Sequence, residues 1–242
     1  MLEIIYRCCD RINCVSGAPR HFAGSKLELI KLCFSALIRS ISLSPVKGTT
    51  LTVVDDHSSA ELKEFVLDNT KGLCLRFVSL DSETGNGASL KQCYQEGINS
   101  KAELLFFLED DYLLAPEAVS ELLGASEHFS RSLGRVILHP IDEPDRYRKP
   151  YPSYILLGPD RHWRTVKHTT GTFMLPYSIL VDYWGKYMNF TEYGITPGVS
   201  EDNTINLVYS EIPCLSPIPG LAHHMQYEHT LSPFKRWESW AT

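Results

Sequence analysis

Apolar residues follow two rhythms in the first half of the chain. Leu2–Cys9, Thr50–Val54, Leu73–Leu80 and Leu104–Leu108 are short, mostly apolar runs without helical spacing, which predicts strands, and the unbroken run Leu104–Leu108 predicts one buried on both faces. Between them, Lys26–Leu43 places apolar side chains at Leu27, Ile30, Phe34, Leu37, Ile38 and Ile41, a helical stripe that stops at Ser44-Pro45. Ala60–Asp68 predicts a short helix closed by Asn69-Thr70-Lys71-Gly72. Thr84-Gly85-Asn86-Gly87-Ala88-Ser89 is a glycine turn leading into a helix that runs to about Gly97. Strands alternating with helices at this spacing predict a right-handed α/β fold with a mostly parallel sheet.

The rhythm weakens after residue 115. Pro116–Phe129 predicts a helix with proline at its start, Arg135–Pro140 a strand, Thr172–Leu175 a strand and Ile179–Met188 a helix. A further helix is expected over Thr204–Ser210, and an extended piece over Cys214–Pro219. Ile141–His168, rich in Pro, Tyr and Arg, reads as a long functional loop with short strands, and Arg11–Ser25 as a Gly/Pro-containing loop. With no internal repeat and no low-complexity linker, residues 1–242 are expected to form one domain with two functional halves, 1–115 and 116–242.

Chemistry concentrates where the apolar runs end. Leu104–Leu108 passes directly into Glu109-Asp110-Asp111, and Val53-Val54 into Asp55-Asp56-His57-Ser58. A strand buried on both faces does not tolerate acids, so the acids belong where it emerges, the edge at which open α/β sheets bind ligands. Three adjacent carboxylates repel one another unless a cation neutralises them, and oxygen ligands suit Mg²⁺ or Mn²⁺. The competing structural role of Glu109–Asp111 is an acidic turn ahead of Pro116. For Asp55-Asp56, capping a helix near Ala60 competes on equal terms with binding a nucleobase N–H or a ribose hydroxyl.

Composition narrows the classes. A hydrophobic content of 43%, 21% charged residues and a net charge of −6 without a basic block argue against a nucleic-acid partner. No stretch reaches a transmembrane length and the first residues lack a signal-peptide pattern, so a cytoplasmic protein is expected. Seven scattered cysteines without a CxxC pair predict reduced thiols rather than a zinc site or a disulfide framework.

Val53-Val54-Asp55-Asp56-His57-Ser58-Ser59, the Gly85-Asn86-Gly87 turn and Phe106-Phe107-Leu108-Glu109-Asp110-Asp111, in that order, resemble the nucleotide half of glycosyltransferase family 2. The resemblance implies a GT-A fold, a Rossmann-like three-layer sandwich. It also implies an enzyme that moves a sugar from a nucleotide-sugar donor, UDP-sugar being expected, to a saccharide or other hydroxyl acceptor. By it, Asp55 or Asp56 contacts the base or ribose, Arg7 and Asp110 are further nucleotide-binding candidates, and Glu109-Asp110-Asp111 stands for the DxD motif. Glu109 and Asp111 then hold Mn²⁺ or Mg²⁺, with Asp111 the direct ligand. Glu201-Asp202 matches the family's Glu-Asp pair, whose Asp202 would act as general base in an inverting transfer. A histidine reaching back to the metal has three candidates, His223, His224 and His229, of which His224 is favoured. The chain departs from the family pattern at Arg7-Cys8-Cys9-Asp10, where the family has a Pro-x-Tyr-Asn turn, and in opening its DxD with a glutamate. Such a reaction asks for a cation to neutralise the leaving diphosphate and a carboxylate to take the acceptor's proton, and both residue types are present. Two other readings share these motifs: a non-catalytic saccharide- or nucleotide-binding relative, and a receiver-like signalling domain starting at Asp55-Asp56, with Lys149-Pro150 as its later mark.

Overall fold

The computed structural model describes residues 1–11, 22, 24–45, 48–169, 171–227 and 230–241. Most of the Arg11–Ser25 loop, and His229, lie outside them. The first half alternates as expected: β1 (Leu2–Cys8), α1 (Lys26–Leu43), β2 (Thr50–Asp55), α2 (Ala60–Asn69), β3 (Cys74–Ser79), α3 (Asn86–Ile98) and β4 (Leu104–Glu109). Local chemistry sets two of the helix starts. Ser25 Oγ accepts the Glu28 amide at 3.2 Å and Ser59 Oγ accepts the Leu62 amide at 3.2 Å. The cap of α2 is therefore Ser59, not Asp55 or Asp56. The start of α3 has no side-chain cap and relies on Gly85 at φ 95°, a backbone that glycine adopts without steric cost.

The second half contributes β5 (Tyr112–Leu114), α4 (Ala118–Leu133), β6 (Ile137–Leu138), α5 (Asp145–Arg148), β7 (Ile155–Leu157), β8 (His162–Val166), β9 (Phe173–Pro176), α6 (Tyr177–Asp182), α7 (Trp184–Phe190), α8 (Ile205–Glu211), β10 (Cys214–Ile218) and β11 (Ala222–His224). The stretch 141–168 carries the short strands expected of it: β7 and β8 extend the main sheet and bury Trp163 and Val166. The helix expected over Ile179–Met188 is two helices, broken at Tyr183 (φ −110°, ψ 21°). Ala222–His224 forms β11, whose partner β5 lies far away in sequence.

Nine strands form one sheet in the order β3-β2-β1-β4-β9-β6-β10-β8-β7. β8 and β9 run against the others, so the sheet is mostly parallel, as expected. Its two faces are covered separately. Along β4, Phe106 and Leu108 point into the core shared with α1, α2 and α4, while Leu105 and Phe107 point into the core shared with α3, α6, α7 and α8. The unbroken apolar run at Leu104–Leu108 is the direct consequence of this two-sided burial. β1 lies between β2 and β4, in register Cys8↔Asp55 on one side and Arg7↔Glu109 on the other. The strand preceding the acidic pair is thus an inner strand of the sheet, which the receiver-like reading, starting at Asp55-Asp56, does not accommodate.

Candidate active site

Both acidic stretches leave the sheet at the same edge, on either side of β1. The Asp56 amide donates to the Cys8 carbonyl at 3.0 Å, and the Cys9 amide donates to Asp110 Oδ2 at 2.9 Å. Two consecutive residues, Cys8 at the end of β1 and Cys9 just beyond it, therefore join the stretches, whose parent strands stand about 10 Å apart, two interstrand spacings.

Each of the five carboxylates has a basic side chain as neighbour. Asp55, fully buried, meets Lys63 Nζ at 3.0 Å and accepts the Ser58 amide at 3.1 Å, which holds the turn after β2. Asp56 accepts the Gly85 amide at 2.7 Å and lies 3.1 Å from His57 Nδ1. Glu109 is engaged by Arg7, whose guanidinium also bonds the Asn86 side chain, the Asn86 carbonyl at 3.1 Å and Ser89 Oγ at 3.3 Å. Gly171 makes room for this pair, since a Cβ there would stand 2.7 Å from the Glu109 carboxyl carbon. Asp110 meets Lys26 Nζ at 3.3 Å, yet its pKa is raised, because burial outweighs the lysine and Asp111 adds repulsion. Asp111 lies 3.6 Å from His224 Nε2.

The β5–β11 ribbon makes that last contact. Its register sets His224 opposite Tyr112, where the two rings stack at 4.6 Å, one residue beyond Asp111. Burial disfavours the charged form of His224, but Asp111, Glu109 and Glu143 together raise its pKa. His223 points the other way: it is buried beside Trp240, accepts the Ser232 amide at 3.0 Å, and burial pushes its pKa down to about 4. Of the two described tail histidines, His224 is the one that meets the acids.

Glu201 and Asp202 occupy a turn before α8 rather than its first helical turn, and the Asn206 amide donates to the Glu201 carbonyl at 2.9 Å. The two side chains diverge. Glu201 is partly buried and its pKa is raised, first by desolvation and then by Asp202, Glu143 and Glu109. Asp202 is 80% exposed, accepts the Asn206 amide group at 3.0 Å and lies 3.8 Å from His168 Nδ1. It does not cap α8, whose first turn has no side-chain cap.

Two residues of this neighbourhood escape a reading of the sequence. Glu143 acts electrostatically on both Glu201 and His224 and pairs with Arg146 at 3.1 Å. His139 is fully buried, sits 2.9 Å from the Thr172 carbonyl through Nδ1, and has its pKa pushed down to about 4, chiefly by burial. The signal for Glu143 was present, since Asp142-Glu143 is another acidic pair just beyond a strand, β6. His139 carries no comparable mark.

Among the described residues, no group of three or more His, Cys, Asp or Glu side chains is arranged to hold a metal ion. Asp111 and His224 form a two-donor edge, and Arg7 already engages Glu109. That set fits a Mg²⁺ or Mn²⁺ ion only of the kind that one or two protein donors share with substrate phosphates and water.

No family model and no curated protein sequence matches the chain. Solved structures do. The fold is similar to that of TarS from S. aureus, with a TM-score of 0.56 and 14% identity over 89% of this chain. It is also similar to glucosyl-3-phosphoglycerate synthase from Mycobacterium tuberculosis. The TM-score is 0.52 at 13% identity, over 92% of this chain and 71% of that one, for the complex with Mn²⁺, UDP and glucosyl-3-phosphoglycerate. It is again 0.52 at 14% identity for the complex with Mg²⁺ and UDP. The chain spans 35% of the TarS chain. At these identities the likeness is one of architecture: the chain has a GT-A fold.

Proposed function

We propose that the chain is a metal-dependent, inverting glycosyltransferase that transfers a sugar from a nucleoside diphosphate donor, UDP-sugar by preference, to a hydroxyl acceptor. The observation that carries this reading is the convergence of Asp56, Asp110 and Asp111 around the end of β1, with His224 brought onto Asp111 by a ribbon from the far end of the chain. The structural neighbours that hold UDP with Mn²⁺ or Mg²⁺ lend support, as does a further TarS structure in complex with UDP, at a TM-score of 0.51.

Asp56 would receive the nucleoside, at a carboxylate already oriented by the Gly85 amide. Asp110 would anchor the strand end through the Cys9 amide and Lys26 rather than reach the ligand itself. Asp111 and His224 would hold Mn²⁺ or Mg²⁺, which when bound supplies Lewis-acid neutralisation of the departing diphosphate. Arg7 and Glu109 neutralise each other and brace β1, β4 and the start of α3. An acceptor hydroxyl arrives from solvent. Asp202, exposed to solvent, would take its proton, while Glu201 is partly buried and feels the charges of Glu109 and Glu143. Direct attack assisted by a base inverts the anomeric configuration.

The pairing of Glu109 with Arg7 favours one second reading, a binding protein of the same fold with a weakened metal site. One experiment separates the two. Calorimetry with UDP, with and without Mn²⁺, followed by assay of a UDP-sugar panel for hydrolysis and transfer, should show metal-strengthened binding and turnover. Asp111→Asn should abolish the metal-dependent part of the affinity, because an amide keeps the shape and loses the charge. Binding without turnover on any donor would support the second reading, and equal affinity with and without metal would refute the metal site.

A further inference from the structure

His57 follows Asp56 at the end of β2, and its ring is held from both sides. Nδ1 lies 3.1 Å from Asp56 Oδ1, and Nε2 lies 2.9 Å from the carbonyl oxygen of Asp81, just beyond β3. A carboxylate and a carbonyl only accept hydrogen bonds, and a neutral imidazole has one N–H. Both contacts are satisfied together when both ring nitrogens carry protons. The backbone at His57 points the same way. It is the one non-glycine position with positive φ (57°) among the described residues, a conformation uncommon for a residue with a side chain and sustained by its surroundings. Here the surroundings are the turn closed by the Ser58 amide on Asp55 and the two contacts of the ring.

The other oxygen of Asp56 accepts the Gly85 amide at 2.7 Å, at the uncapped start of α3. Asp56 is therefore clamped between His57 and Gly85, with one lone pair left on each oxygen. We propose that doubly protonated His57 is a positioning residue of the donor site: it orients the Asp56 carboxylate against the start of α3, so that capture of a nucleoside diphosphate depends on a proton held by His57. This inference rests on the proposed function, since it takes Asp56 to be the nucleoside contact.

The charged groups around the ring favour the proton. The hydrogen bonds to Asp56 and to the Asp81 carbonyl raise the pKa of His57 most, desolvation opposes them, and the charges of Asp56 and Asp55 add smaller increases. On the adjoining helices the cations are already matched, Lys63 of α2 by Asp55 at 3.0 Å and Lys91 of α3 by Glu83 at 4.0 Å. The sign follows: the clamp is complete below the raised pKa of His57 and opens as the pH rises through it.

The test compares UDP affinity of the wild type with that of His57→Asn across pH 5.5 to 9, in the presence of Mn²⁺. Asparagine tolerates positive φ but cannot carry the proton. Taking the ratio of the two affinities cancels the titration of UDP itself. The ratio should be about tenfold at low pH, the worth of one charged hydrogen bond, and should fall toward one above the pKa of His57. By reciprocity, UDP should raise that pKa by about one unit, seen in the ¹⁵N resonances of the His57 ring. In the free protein the same resonances should show both ring N–H groups protonated beyond the ordinary histidine range, and Asp56→Asn should lower the titration point. His57→Gly, which relieves the backbone, should match His57→Asn in affinity. A flat ratio with UDP still bound, or a His57 that titrates normally and ignores Asp56→Asn, overturns the inference alone. Failure of both proteins to bind UDP at every pH overturns the proposed function, and the role of His57 with it.

Discussion

Asp202 and Glu201 are neighbours in the chain with opposite surroundings, and the difference decides which experiment is informative. An exposed carboxylate beside Asn206 and His168 is replaceable without loss of packing, whereas Glu201 has been partly removed from water among other carboxylates. Asp202→Asn should lower kcat by roughly 10²–10⁴ with UDP affinity nearly unchanged, the range a general base contributes. Glu201→Gln should affect kcat far less. Steady-state kinetics with calorimetry separates these outcomes, and a reversed ranking would transfer the role of base to Glu201. An NMR spectrum of the product linkage showing a retained anomeric centre would refute the inverting displacement.

At the scale of elements, β4 does two jobs with one short run of residues. Phe107 packs edge-on against Tyr94 at 5.2 Å and against Phe173 at 5.4 Å, joining α3 to β9, while the same strand ends in the acids of the site. Gly97 of α3 comes so close that a Cβ there would lie 2.8 Å from the Phe107 ring. Phe107→Ala should therefore destabilise the fold by about 3–5 kcal/mol, the cost of emptying a well-packed aromatic site. Leu43→Ala, at the exposed end of α1, should change stability by less than about 0.5 kcal/mol. Urea unfolding midpoints check both. Equal losses would mean that the core packing around β4 is not what stabilises the sheet.

For the molecule as a whole, buried histidines make stability sensitive to acid. His139 and His223 stay neutral in the fold with pKa values near 4, while in the unfolded chain they bind protons near 6.5. The unfolded state takes up protons first, so the stability these two residues contribute is present above about pH 6.5 and is lost as the pH falls toward 4. The raised pKa values of Asp110 and Asp142 act in the opposite sense, since the folded state holds those protons more tightly. The variant His223→Gln isolates one contribution. Its thermal midpoint should fall less steeply than that of the wild type between pH 6.5 and 4, as followed by circular dichroism. Parallel curves would show that His223 is not the acid-sensitive group.

Residue order alone determined the first half of this protein, because there local rules and tertiary demands coincide. Unbroken apolar runs can be satisfied only by strands covered on both faces, the α1 stripe spans its helix from Lys26 to Leu43, and acids that follow such runs must emerge at one sheet edge. The second half was decided by contacts between residues far apart. The strands in 141–168 exist because β10 pairs with β8, and His224 reaches Asp111 because β11 pairs with β5 more than a hundred residues upstream. Sequence spacing does not register such pairings. Nor does it show that Arg7 would claim Glu109, that Glu201 and Asp202 would face apart, or that His57 would bridge Asp56 and Asp81. Each depends on where a side chain points once the sheet has closed around β1, and the direction of a side chain is set by packing rather than by its place in the chain.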